Sequence, residues 1–232
     1  MALDNCSAAT LKNVSEGSCP ALGRLSKAVF STLDFSFADA DAIKLKANWD
    51  AGIASKDLFV FPTAFLLESQ DVDPVFQDGL NSRLKVDERK KITQFSVAQS
   101  VCVHKNMRSF DQRIMRVFEI TEDGFVKGVL QSDGTIKGQQ VTISVDAMTT
   151  ASATEASLTN VSMFFSDINE YEQSPLNGKL AFNKTSLRGI VDLTLAEFTT
   201  GETSSLIKIS VTNDCTGDNI TTLVNGNLVV TN

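Results

Sequence analysis

Aromatic and imidazole chemistry is scarce in this chain. Its 232 residues include one His (His104), one Trp (Trp49) and one Tyr (Tyr171). A single imidazole excludes zinc sites that need two or more histidines. It also leaves one place for any His-based dyad or triad. Long apolar runs are missing as well. The longest stretch, Leu58–Leu67, is interrupted by Pro62 and Thr63 and falls well short of the roughly 18 residues of a membrane span. The first twenty residues lack a basic segment followed by an apolar one, so no signal peptide is expected and the product is expected to be cytosolic when made.

The motifs of common chemistries are absent too. There is no G-x-S-x-G, H-E-x-x-H, phosphate-binding loop lysine motif or G-x-G-x-x-G. Cys102 and His104 lie two apart and would share a face on a strand, but a structural cysteine and a surface histidine are the expected reading. The acidic groups Asp39/Asp41, Asp71/Asp73 and Asp214/Asp218/Asn219 lack EF-hand spacing and are read as turn and capping residues. No catalytic residue, metal ligand or cofactor is expected, and the chain is read as a non-enzyme. The four cysteines, Cys6, Cys19, Cys102 and Cys215, are widely spaced with no C-x-x-C and are expected as reduced thiols, with Cys6–Cys19 the pair open to oxidation. Five Asn-x-Ser/Thr triplets, at Asn5, Asn13, Asn160, Asn183 and Asn219, are read as a product of composition rather than as glycosylation sites.

Strand signals dominate what is present. Ile92–Val97, Arg113–Ile120, Phe125–Leu130, Val141–Val145 and Leu158–Ser166 are rich in β-branched and aromatic residues, and Val101–Val103 shares their texture. Glu122-Asp123-Gly124 and Ser132-Asp133-Gly134 are turn signals about ten residues apart, the spacing of an antiparallel sheet. Helix-like spacing appears once, in Ala42, Ile43, Ala47, Trp49 and Ile53, predicting a principal helix near residues 39–54 with Trp49 as a core anchor. Asp73-Pro74 predicts a short helical turn near 74–79, and Leu58–Leu67 a buried strand bent at Pro62. The fold class is mainly β (α+β), an antiparallel β-sandwich or barrel with a small C-terminal β module. Residues 1–35 are expected as an N-terminal arm or short elements, 36–185 as the β-rich body, with 167–186 as a long loop, and 186–232 as the terminal module.

Charge is unevenly placed. The net charge is -7, yet residues 83–116 carry nine Lys/Arg against three acids. The acidic total argues against a general nucleic-acid coat. Only Phe95 and Phe110 interleave with the basic residues, too few for base stacking. The basic belt suits docking on an acidic surface of another copy. The densest run, Arg83, Lys85, Arg89, Lys90 and Lys91, is the candidate subunit interface.

The segment RSFDQRIMRVFEITEDGFVKG, followed by QSDGTIKGQQVTISVDAMTTASATEAS and LTNVSMFFSDINEYEQ, resembles the core of structural proteins of tailed-phage particles, above all the tail-tube type. The terminal SLIKISVTNDCTGDNITTLVNGNLVV resembles immunoglobulin-like additions to phage virion proteins. The resemblance covers roughly half the chain. It implies a virion protein assembled in the host cytoplasm, a homo-oligomer of stacked rings, with other virion proteins as partners and DNA only as passing cargo. Capsid decoration or a head–tail connector is the alternative role, and a surface adhesin or carbohydrate-binding module a third.

Overall fold

A computed structural model describes residues 23–78, 83–87, 89–151, 156–167, 169–189, 193–197 and 209–213. In chain order the strands are β1 (Leu25–Ser31), β2 (Leu58–Val60), β3 (Leu66–Ser69), β4 (Val75–Asp78), β5 (Arg83–Asp87), β6 (Ile92–Val97), β7 (Ile114–Thr121), β8 (Phe125–Leu130), β9 (Ile136–Lys137), β10 (Gln139–Val145), β11 (Thr159–Phe165), β12 (Pro175–Lys179), β13 (Leu193–Glu197) and β14 (Ile209–Asn213). The helices are α1 (Lys46–Ala54), α2 (Val101–Arg108) and α3 (Asn169–Gln173), with 3-10 turns at Ala42–Lys44 and Lys184–Ser186. The mainly β, antiparallel class read from the sequence is what the structure shows. Ten strands join one sheet in the order β12-β8-β7-β10-β11-β6-β3, with β1 on β7, β2 on β1 and β9 on β8. The path does not close into a barrel.

Strand β7 organises this sheet. One edge pairs with β1 from Arg116 to Thr121. The other pairs with β10 at Ile114–Val117 and then with β8 at Glu119–Ile120. The sheet therefore forks beside Val117. The chain crosses the fork at Gly138, where a Cβ would sit 2.7 Å from the Val117 carbonyl carbon, a position only glycine can occupy without displacing backbone. Arg116 braces the crossing by donating from Nη1 to the Gly138 carbonyl at 2.7 Å and to Glu170 at 2.8 Å.

Alternation along β1 and β7 feeds two apolar clusters. Phe30, Val117 and Met115 join Phe61, Phe95, Met107, Ile143 and Val161 in one. Val29, Phe118 and Ile120 join Phe37, Ile43, Trp49, Ile136, Leu176 and Leu187 in the other. Trp49 is the expected anchor: it is fully buried, its Nε1 donates to the Ile43 carbonyl at 2.7 Å, and its ring meets Phe37 and Phe118. The principal helix is a 3-10 turn and α1 separated at Leu45, whose extended backbone interrupts the helical run.

Several expectations are corrected. Within 1–35, expected as an arm or short elements, Leu25–Ser31 is a fully buried strand of the body. Its polar Lys27 is accommodated because Nζ donates to the Leu187 carbonyl at 2.7 Å. Burial, with Arg188 and Lys184 nearby, holds the Lys27 amine below its usual range. Residues near 74–79, expected as a helical turn, form β4, because Val75 and Phe76 find ladder partners in β5. Val101–Val103 opens α2, as Ser100 caps it through the Val103 N–H. Residues 167–186 are no loop: they supply α3 and β12, the latter paired along β8. The bent strand at 58–67 is two strands, β2 and β3, parted around Pro62.

The chain divides into two compact units after Gly189, and Leu187 is buried in the first. The body thus runs a few residues past the expected boundary at 185. In the second unit the described residues form the antiparallel pair β13–β14. Residues 1–22 and most of the expected terminal module lie outside the described residues.

One buried charge lies beside the fork. Glu119, 3% exposed, accepts from Lys127 at 3.0 Å and lies 3.8 Å from Lys91. Removing one partner of a buried ion pair leaves the others uncompensated, at a cost of about 3–5 kcal/mol. Glu119→Gln keeps the shape and strands two ammonium groups. It is expected to lower unfolding stability by about 3 kcal/mol, read from the denaturant midpoint. An unchanged midpoint would show that the pair is not what secures this corner.

Candidate assembly interface

The basic run selected from the sequence lies on a two-stranded ribbon that leaves the sheet. β3 pairs with β6 from Leu66↔Ser96 to Ser69↔Thr93. The same register continues through the Val72↔Lys90 bridge to Val75↔Asp87, each step forward on one strand matched by a step back on the other. A one-residue bulge follows Val75, and the ladder resumes at Phe76↔Lys85. β11 accompanies β6 only as far as Ile92. Among the described residues the stretch 70–78 with its partner strand thus has no third strand, and it reaches roughly 30 Å at about 3.3 Å per residue.

Its side chains are unlike those of a solvated ribbon. Val72, Val75, Phe76, Leu84 and Val86 are all exposed, Leu84 at 67% and Val86 at 58%. Phe65 and Leu67 extend the patch at its base. Among the described residues, seven of the twelve exposed large hydrophobic side chains fall between 65 and 86, so the exposure is a local patch and not scatter. Phe76 pairs with Lys85 and Gln77 with Leu84, and successive pairs face opposite ways, so apolar groups occupy both faces.

The base of the ribbon is held by charge. Asp71 accepts from Arg89 Nη2 at 2.6 Å and, through its other oxygen, from the Ile92 N–H at 3.0 Å. Burial alone would raise the Asp71 pKa, but the Ile92 N–H, the Ser69 hydroxyl and the Arg89 guanidinium together hold it below the ordinary carboxylate value. Lys91 turns inward: its amine lies 3.8 Å from Glu119 and 3.8 Å above the Phe165 ring centroid. Burial lowers the Lys91 pKa, with Glu119 opposing.

The five basic residues therefore separate by role. Arg83 and Lys85 stand on β5, opposite Asp78 and Phe76 in register. Lys90 lies in the bridge with Val72, Arg89 is tied to Asp71, and Lys91 belongs to the Glu119 network. Lys91 pairs with the buried Glu119, so reversing it would report on folding as well as on docking. The neighbouring hydrophobic side chains escaped the charge-based reading. Their signal was present in the alternation Leu84-Lys85-Val86, which is apolar where an isolated ribbon should be polar.

A second unpartnered feature is a groove of about 590 Å³ on the body, lined by Thr32, Leu33, Asp34, Phe59, Ser109, Phe110, Arg113, Ile114 and Met115. The Phe59 and Phe110 rings meet edge-on, and Phe110 continues onto Phe61, so one wall is rigidly backed by the core. Leu33 and Ile114 are exposed at the rim.

Cys102 and His104 sit on α2 rather than on a strand. Cys102 is disulfide-bonded, correcting the reduced thiol expected there; its partner, like the Cys6–Cys19 pair, lies outside the described residues. A disulfide sulfur offers no thiolate for a Cys–His dyad. His104 Nδ1 instead meets the Thr159 hydroxyl at 2.9 Å. Asp39 caps the backbone N–H groups of Asp41 and Ala42. Among the described residues no group of three or more His, Cys, Asp or Glu is placed to hold a metal ion, and no helix is long and apolar enough to cross a membrane. Comparison with protein-family models, curated proteins and solved structures returns no match.

Asp71 provides a test of the ribbon's base. A carboxyl with a depressed folded pKa lends stability that is complete above its unfolded value, near 3.8, and is lost as pH falls through the folded value. Amide exchange in residues 70–78 and 83–91 is expected to speed up selectively as pH is lowered into that range, after correction for intrinsic rates. Asp71→Asn is expected to show the faster, pH-independent opening already at neutral pH. Equal protection in both proteins at pH 7 would remove Asp71 as the clasp.

Proposed function

We propose that this chain is a non-catalytic structural subunit that assembles with copies of itself, and that its setting is a tailed-phage particle, most simply as a tail-tube subunit of stacked rings around a DNA conduit. The observation that carries the self-association is the ribbon of β4 and β5. A two-stranded ribbon is marginal in water on its own, and this one exposes Phe76, Leu84 and Val86. Such a surface is stabilised when a partner covers it.

The virion setting rests on the resemblance of residues 108–172 and of the terminal stretch. The antiparallel sheet over 114–165 and the separate β13–β14 pair are compatible with it. An acidic subunit suits a conduit, since phosphate then slides past without adhering.

Electron microscopy of the purified protein over a rising concentration series is the direct test. Rings or tubes are expected, with assembly sensitive to salt. A protein that sediments as a monomer throughout would overturn the self-association, and discrete closed dimers would overturn the stacked-ring form.

A further inference from the structure

We infer that a bound water sits at the fork of the sheet, bridging Ser31 and Arg116, and that it holds Arg116 in place for its clasp on α3. Its presence does not depend on the assembly proposed above. Among the described residues, three buried side-chain atoms have no protein hydrogen-bond partner: Ser31 Oγ, Arg116 Nε and Gln139 Oε1. The ladders bring all three to one place. Ser31 is opposite Arg116 on the β1–β7 ladder, and Gln139 is opposite Val117, the next residue of β7, on the β10 ladder. Here β10 ends its pairing with β7, and β8 takes over at Glu119. Protein partners run out where the strands part.

Opposed residues of an antiparallel pair point their side chains to the same face, with Cβ atoms about 5 Å apart. One water can bridge polar atoms so placed. It accepts from the Arg116 Nε–H and shares a hydrogen bond with the Ser31 hydroxyl, which can donate or accept. A buried water makes roughly two to four hydrogen bonds, and these two atoms supply the minimum. Ser31 is fully buried and the Arg116 side chain nearly so, which keeps bulk solvent from serving them. Charge selects water over an ion. The Arg116 guanidinium is already matched by Glu170 at 2.8 Å, so an anion would add an unbalanced negative charge, and Arg116 would repel a cation. The water completes the hold on Arg116. Nη1 donates to the Gly138 carbonyl and to Glu170, and Nε to the water. Glu170 in turn accepts from the Gln140 N–H at 3.0 Å. α3 buries no residue of its own, so polar links such as these and the Tyr171–Asn177 hydrogen bond seat it. Ser31 is thus a positioning residue that acts on α3 through Arg116.

Ser31→Ala removes one polar atom and almost no volume, and the sign of its effect separates a dry site from a wet one. A buried hydroxyl with no partner at all is costly, so removing it would leave stability unchanged or raise it. A hydroxyl that shares a held water is worth keeping, and its loss leaves Arg116 Nε poorly satisfied. The unfolding equilibrium constant of Ser31→Ala is therefore expected to rise roughly tenfold, read from the denaturant midpoint. A variant as stable as the unaltered chain, or more stable, would overturn the water bridge. The unaltered chain offers a measurement that needs no variant. Its Arg116 Nε–H is expected to exchange slowly with solvent and to show cross-relaxation with a long-lived water in nitrogen-edited NMR spectra. A fast-exchanging Nε–H, or a slow one without that cross-peak, would also overturn the bridge. In Ser31→Ala the Gln140 amide resonance, which reports on Glu170, is expected to shift together with that of Arg116 Nε–H. An unmoved Gln140 amide would overturn the link to α3 while leaving the water in place.

Discussion

The Glu119 carboxylate ties the exposed ribbon to the middle of the sheet. It lies on β7, the strand that meets β1, β8 and β10, and it faces Lys91, the residue before β6 begins. Ahead of Lys91 the chain forms a two-stranded ladder with little covering it; after Lys91 it runs in a sheet between β3 and β11. The ion pair sits where these regimes change. Lys127 on β8 shares the same carboxylate, so the charge also bridges one arm of the fork. A buried ion pair is not a strong source of stability by itself, because desolvation offsets much of the attraction. Its value here is positional: an unpaired Lys91 in that site would be costly, so alternative registers at the base of the ribbon are disfavoured.

The division of labour between charges and hydrophobic groups follows from that arrangement. A charge-based reading selects Arg83, Lys85, Arg89, Lys90 and Lys91 as one surface. Folding separates them, because a ribbon's base must be secured before its far end can be presented. Arg89 and Lys91 serve the base through Asp71 and Glu119. Arg83 and Lys85 remain on the strand that carries Leu84 and Val86. Ion pairs exposed to water contribute little to affinity, whereas apolar groups removed from water contribute about 25 cal/mol per Å². The ribbon's hydrophobic side chains therefore carry more of any docking energy than its basic residues, and the charges set orientation and rate.

Legibility from sequence varied with how local the causes were. Ile92–Val97, Phe125–Leu130 and Val141–Val145 were readable because alternation and β-branching coincide with their burial. The turns at Gly124 and Gly134 were readable because both occupy positive φ, where glycine is favoured. β1 was not readable. Ser26, Lys27 and Ser31 look like surface residues, and only a carbonyl at Leu187, 160 residues away, makes the Lys27 amine tolerable inside. α2 was hidden by Val101 and Val103, whose strand preference yields to the Ser100 cap and to burial of Met107 against the core. β12 was hidden by Asn177 and Gly178, which look like loop residues.

The same distinction explains why the interface was half visible. Charge clusters can be counted along a chain, but exposure cannot. Val75, Phe76, Leu84 and Val86 have the composition of a core strand, and nothing in their order says that no second layer covers them. That follows from topology: β11 pairs with β6 no further than Ile92, so among the described residues the ladder beyond has two strands. An apolar two-stranded ribbon without a covering layer invites nonspecific association. Occupying it with a defined partner resolves that hazard.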